Sequence, residues 1–311
     1  MRLFDLHCDT PRFVIDNKLS LKTSHGHVSL DKAEDFSTYI QVAAVWSTFD
    51  SVVKAKEVFD KTVSYFDAEC KANACDIVRT ADELNASASK QSANESKAGF
   101  IYCIEDCGFI TTEEILNEVY DKGVRILIPM WGKANALGAS HEAEGGLTSF
   151  GKHILTEAAK KHIILDISHA SVASASDIMD IAEKYDTPVI ASHSNSRRFY
   201  DHTRNLYTEQ LKRLTELGGI VGHSLCPWHL ATQADADEYT VLKNIEALIE
   251  DAGEDNDCFG CDLDGTDLPK GFTDITSLTK LGDMLSNRFS PLIADKILYL
   301  NALNKFQQFL K

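Results

Sequence analysis

Ile163-Ile164-Leu165-Asp166-Ile167-Ser168-His169 is an apolar run of strand length that ends in a histidine and leads directly into a helical pattern beginning near Ser171. Pro188 cannot continue that helix, and Val189-Ile190-Ala191-Ser192-His193 follows as a second apolar run ending in a second histidine. Strand, helix and strand within about thirty residues form a βαβ unit, which builds parallel sheet with helices over its faces.

The same rhythm extends both ways. Towards the amino terminus come Val124 to Met130, followed by a helix capped near Thr148 or Ser149, and Gly99 to Glu105, followed by a helix from Thr112 to Gly123. Before them, Tyr39 to Trp46 is a near-continuous apolar run, typical of a strand buried on both faces, and a long amphipathic helix carrying Phe59, Val63 and Phe66 follows it. The first strand is Leu3-Phe4-Asp5-Leu6-His7-Cys8-Asp9. Towards the carboxyl terminus, a helix with Leu211, Leu214 and Leu217 stops at Gly218-Gly219, Ile220 to His223 forms a seventh strand, and Cys258 to Asp262 an eighth. Residues 11–37 show no clear period and are expected to form a long loop over one barrel end. Eight strands alternating with helices in 311 residues predict an α/β fold, a (β/α)8 TIM barrel as one domain over residues 1–311. A last helix, with Ser290 as cap and Pro291 in its first turn, is expected to pack outside.

A formal charge of −16 and the lack of Lys/Arg clusters argue against nucleic acid or an anionic membrane as partner. No apolar stretch is long enough to span a bilayer, and the first strand begins at once, so a cytoplasmic protein is expected. The eight cysteines are expected to be reduced thiols, and Cys258-Phe259-Gly260-Cys261, although spaced like a redox motif, to be buried structure.

In such a barrel, chemistry sits at the carboxyl ends of the strands. Those ends carry His7 and Asp9, Glu105, His169, His193, His223 and Asp262. His7 and Asp9 are two residues apart and face one side of a strand together. Any one of these residues is more simply read as a satisfied polar group. Together, His7, Asp9, Glu105, His169 and His193 suit two divalent metal ions, with Glu105 bridging them. Two such ions about 3.5 to 4 Å apart can hold a water between them as an activated hydroxide and polarise a carbonyl. Asp262 is then free to take the water's proton and pass it to a leaving amine. The pair His25 and His27, without supporting acids, is a weaker metal candidate.

The segments His7-Cys8-Asp9, Glu105, Asp166-Ile167-Ser168-His169, Ser192-His193-Ser194, Arg204-Asn205 and Asp262-Leu263-Asp264-Gly265 resemble, in order and spacing, the membrane dipeptidase (renal dipeptidase) family of metallopeptidases. Gly145 to Gly151 resembles its connection between strands four and five. The resemblance implies a hydrolase with two zinc ions, or another divalent metal, that cuts dipeptides and tolerates a D-residue on the carboxyl side. It implies His7, Asp9, Glu105, His169 and His193 as metal ligands, Asp262 as the proton-handling acid and Arg204 as the residue that binds the terminal carboxylate. A homodimer is implied as well. Two departures concern the substrate: Trp131 stands where better-known members have a substrate-contacting histidine, and His223 stands where no ligand is expected, so that it either contacts substrate or packs. The alternatives are another hydrolase on the same metal pair, acting on an N-acyl amino acid, cyclic amide or lactone, and a catalytically silent binding protein.

Overall fold

The computed structural model describes residues 1–49, 51–232 and 235–311. Eight parallel strands form the barrel: β1 (Arg2–Cys8), β2 (Thr38–Trp46), β3 (Gly99–Glu105), β4 (Val124–Ile128), β5 (Ile164–Asp166), β6 (Val189–Ile190), β7 (Val221–His223) and β8 (Asp257–Phe259). Each pairs with its neighbours in chain order, β1 meets β8, and a bridge between Ala191 and Val221 joins the ends of the β6 and β7 region. The fold is a (β/α)8 TIM barrel.

Alternate residues along a strand face opposite sides, and the core divides accordingly. Phe4, Leu6, Ile40, Val42, Ile101, Ile126, Ile164 and Ile190 form one apolar cluster. Leu3, Tyr39, Val45, Phe100, Ile104, Leu127, Leu165 and Val189 join the helices in the other. The helices start on hydroxyl caps: Thr112, Thr148, Ser171 and Ser290 each accept a backbone N–H from the first turn. The terminal helix Asn301–Phe309 lies outside the strands and packs Phe306 against Phe4, at 4.9 Å between rings.

The expected long loop at residues 11–37 is partly helical. Thr10–Asp16 forms a helix with Pro11 in its first turn, and Ser29 caps a short helix at Leu30–Ala33. Both are too short for periodicity to register. A two-residue strand, Asp76–Ile77, and the helix Ala81–Ser92 with a Thr80/Glu83 capping box lie between the second and third units, where no strand was expected. All eight cysteines are free, and Cys258 and Cys261 are buried. Among the described residues no helix is long and apolar enough to cross a membrane.

Candidate metal centre and substrate cavity

Three site residues stand beyond their strands rather than within them. β5 ends at Asp166, β6 at Ile190 and β8 at Phe259, and His169, His193 and Asp262 each follow three residues later. His169 and Asp262 hold left-handed backbone, with φ of 67° and 62°, which turns their side chains inward over the barrel mouth. For residues with a Cβ that conformation is uncommon, and it gathers at functional sites.

Two buried carboxylates below the mouth fix these turns. Asp166 accepts the N–H groups of Ser168 (2.8 Å) and Ser192 (3.1 Å), the residues immediately before His169 and His193. Asp5 accepts the N–H groups of His7 (3.0 Å) and Cys261 (3.0 Å), tying the first strand to the residue before Asp262. Both acids are fully buried, and burial raises their pKa. Gly265 completes the rim, because a Cβ there would collide with Asp9 Oδ2 and lie 2.7 Å from Asp262 Oδ1. Only glycine leaves both carboxylates in place.

The donors then converge. Glu105 Oε1 lies 2.9 Å from His169 Nε2 and 3.5 Å from His193 Nε2. Its other oxygen, Oε2, lies 3.8 Å from His7 Nε2, which is also 3.6 Å from Asp9 Oδ2 and 3.9 Å from Asp262 Oδ1. Ligands at about 2.1 Å from a tetrahedral ion stand about 3.4 Å from one another, so these separations suit a cation on each side of Glu105. His7 Nε2 and Asp9 Oδ1 are buried without a hydrogen-bond partner, and Asp9, although it precedes a helix, makes no cap bond. Such orphaned groups are costly unless something binds them. The donor set therefore fits divalent metal.

The electrostatics show concentrated negative charge at this point. Burial alone would lower the pKa of His7, but Glu105, Asp9 and Asp262 together raise it to about 10. Burial pushes the Glu105 carboxyl well up, and holds His169 and His193 well down with help from nearby positive charge. Neutral imidazoles at His169 and His193 are in the form that binds metal. Burial, reinforced by Asp9, raises Asp262 to about 6, within reach of proton transfer near neutrality.

A cavity of about 610 Å³ opens over this cluster, lined by Asp9, Glu105, His169 and Asp262 and, further out, by Arg204, Trp131 and Trp46. The model of the membrane dipeptidase family, peptidase family M19, matches residues 1–309. The chain belongs to that family. The chain is 29% identical to an uncharacterized protein of the pqqA 5' region of Klebsiella pneumoniae over 63% of this chain and 76% of that one. It is 26% identical to mouse Dipeptidase 3 over 75% of this chain, a match that spans 47% of the mouse protein, so it covers about half of that relative's length. A metallo peptidase from Rhodobacter sphaeroides, liganded with a phosphinate mimic of the dipeptide L-Ala-D-Ala, shares the fold with a TM-score of 0.89 over 99% of both chains at 22% identity.

The other expected residues of this family member fall in three places. Arg204 is buried, donates to His193 O at 3.0 Å and leaves its Nε unpartnered. Trp131 lines the cavity edge-on to Trp46 at 5.2 Å between rings. His223 does not line the cavity. It is fully buried, accepts from Asn244 Nδ2 at 2.8 Å and packs against Phe259. His27 Nδ1 accepts from Asp264 N at 2.9 Å, and His25 and His27 lie beside a separate opening rather than in the metal centre. The sequence reading overlooked Trp46, Arg12, His141, His202 and His229, which also line the cavity. Of these only His202 carried a local signal, two residues before Arg204.

Proposed function

We propose that this chain is a zinc-dependent dipeptidase that hydrolyses the peptide bond of a dipeptide. The observation that carries this reading is the division of Glu105 between His169 and His193 on one oxygen and His7 on the other, at the floor of a cavity walled by Arg204. His7 and Asp9 would hold one ion, His169 and His193 the other, and Glu105 both. Bound there, two cations supply Lewis acidity for the scissile carbonyl and lower the pKa of an attacking water.

The protein's own groups do the rest. Arg204, attracted by Asp262 and Glu105 but in direct ion-pair contact with no carboxylate among the described residues, offers a guanidinium charged at any working pH to the substrate's carboxylate. Asp262 takes the water's proton and returns it to the leaving amine. Trp131 and Trp46 present an apolar wall that excludes water. Tolerance of a D-residue on the carboxyl side is supported by family membership and by the ligand of the Rhodobacter sphaeroides relative. A cytoplasmic homodimer completes the reading, and light scattering of the purified protein checks its mass.

The test is a screen of dipeptides with L- and D-carboxyl-terminal residues, with and without a chelator. Chelator-sensitive release of free amino acids is expected. Hydrolysis of N-acyl amino acids or lactones, with dipeptides untouched, would move the assignment to another amidohydrolase.

A further inference from the structure

Three histidines that take no part in the metal centre line the same wall of the cavity as Arg204. The rings of His141 and His202 are 6.3 Å apart and those of His202 and His229 are 5.1 Å apart. Their Nδ1 atoms all face protein. His202 Nδ1 accepts the Arg204 N–H at 3.2 Å, His141 Nδ1 lies 2.9 Å from Thr203 Oγ1, and His229 Nδ1 lies 3.5 Å from Ser224 Oγ. Among the described residues, the side-chain hydrogen bonds of all three rings run through Nδ1 and none through Nε2. Because Nδ1 of His202 accepts, its neutral ring carries the proton on Nε2 and can only donate from there.

The donors of this wall are not ion-paired, although Glu142, beside His141, also lines the cavity and, with Asp201, attracts a proton to His202. Among the described residues no carboxylate lies within ion-pair distance of Arg204, His141, His202 or His229. The rings are too far from one another to belong to a compact ligand set for a third cation, and the Arg204 charge opposes one. An anion meets neither objection. If Arg204 holds the α-carboxylate of the carboxyl-terminal residue, that residue's side chain leaves the α-carbon one bond away, beside these rings.

Resting on the dipeptidase reading, we propose that His141, His202 and His229 form a specificity pocket for an acidic side chain, aspartate or glutamate, on the carboxyl-terminal residue of the substrate. Arg204 takes one carboxylate and the imidazole N–H groups take the other. A neutral isostere leaves those donors unpaired, and a site built to bond a polar group rejects an analogue that lacks it.

The experiment compares kcat/KM of the zinc-loaded protein for Ala-Asp, Ala-Glu, Ala-Asn and Ala-Ala, each with L- and D-carboxyl-terminal residues. Alongside it, calorimetry compares binding of free aspartate and asparagine in both configurations. The acidic dipeptides are expected to exceed Ala-Asn and Ala-Ala by about tenfold or more, with aspartate binding tighter than asparagine. His202→Ala and His229→Ala are expected to reduce the Asp-to-Asn ratio towards one, and His202→Gln, which keeps a donor, to restore part of it. A ratio near one in the native protein overturns the proposal, as does a ratio left intact by both alanine variants, since a merely structural role lowers all substrates alike. If no dipeptide is cleaved, the dipeptidase reading falls, and the binding arm still decides: tighter aspartate supports the pocket, while equal or absent binding of the two overturns it.

Discussion

Glu105 Oε1 lies 2.9 Å from His169 Nε2, although one residue ends β3 and the other hangs in a left-handed turn beyond β5. That contact brings two remote strand ends together and leaves the second oxygen of Glu105 facing His7, 3.8 Å away. On the proposed two-ion reading, removing the shared carboxylate should therefore disturb both ions at once. Glu105→Ala is expected to cut bound zinc from about two ions per chain to one or fewer, and hydrolysis by at least about a hundredfold. Elemental analysis after dialysis reads the first and dipeptide turnover the second. Full zinc retention would remove Glu105 from the bridge.

Arg204 separates the dipeptidase from its rivals. Arg204→Ala is expected to raise KM for dipeptides by about 30-fold or more while kcat falls less, because a charge-assisted pair made in ground and transition state alike is lost. An unchanged KM would favour a substrate without a free carboxylate.

Asp262 is close enough to His7 and Asp9 to be read either as a ligand or as the proton carrier. With the carrier role, Asp262→Asn keeps its zinc and loses about 10² to 10⁴ in kcat. Loss of an ion from this variant would instead make Asp262 a ligand.

His223 links pH to stability. Burial lowers its pKa from 6.5 to about 3, so the unfolded chain binds a proton that the folded one refuses. The stability it confers is complete well above pH 6.5 and is lost as pH falls towards 3, on the order of 5 kcal/mol over that window. His223→Gln, which can still accept from Asn244, is expected to be less sensitive to acid than the native protein. Urea unfolding at pH 7, 5.5 and 4.5 reads the difference, and parallel curves would dissociate His223 from the acid response.

The barrel and the identities of its metal-binding candidates were legible in the chain, because a buried parallel strand is a continuous apolar run and its last residues are the ones delivered to the mouth. Thr10–Asp16 and Leu30–Ala33 were not, since helices of one or two turns leave no periodic trace. The linear pattern also treated His223 and His193 alike, each a histidine closing an apolar run. Asn244 and Phe259 take the first into the core, whereas Asp166, through the N–H of Ser192, holds the turn that sets the second beside Glu105.

The order of apolar runs, caps and glycines thus determined by itself that eight strands would close on one another and which side chains would crowd one rim. Which oxygen of Glu105 meets which imidazole, and that His141, His202 and His229 gather beside Arg204, were decided only in three dimensions. Burial patterns are written locally, in the spacing of apolar residues, but a ligand geometry depends on turns such as those at His169 and Asp262, whose backbone is held by carboxylates from other strands.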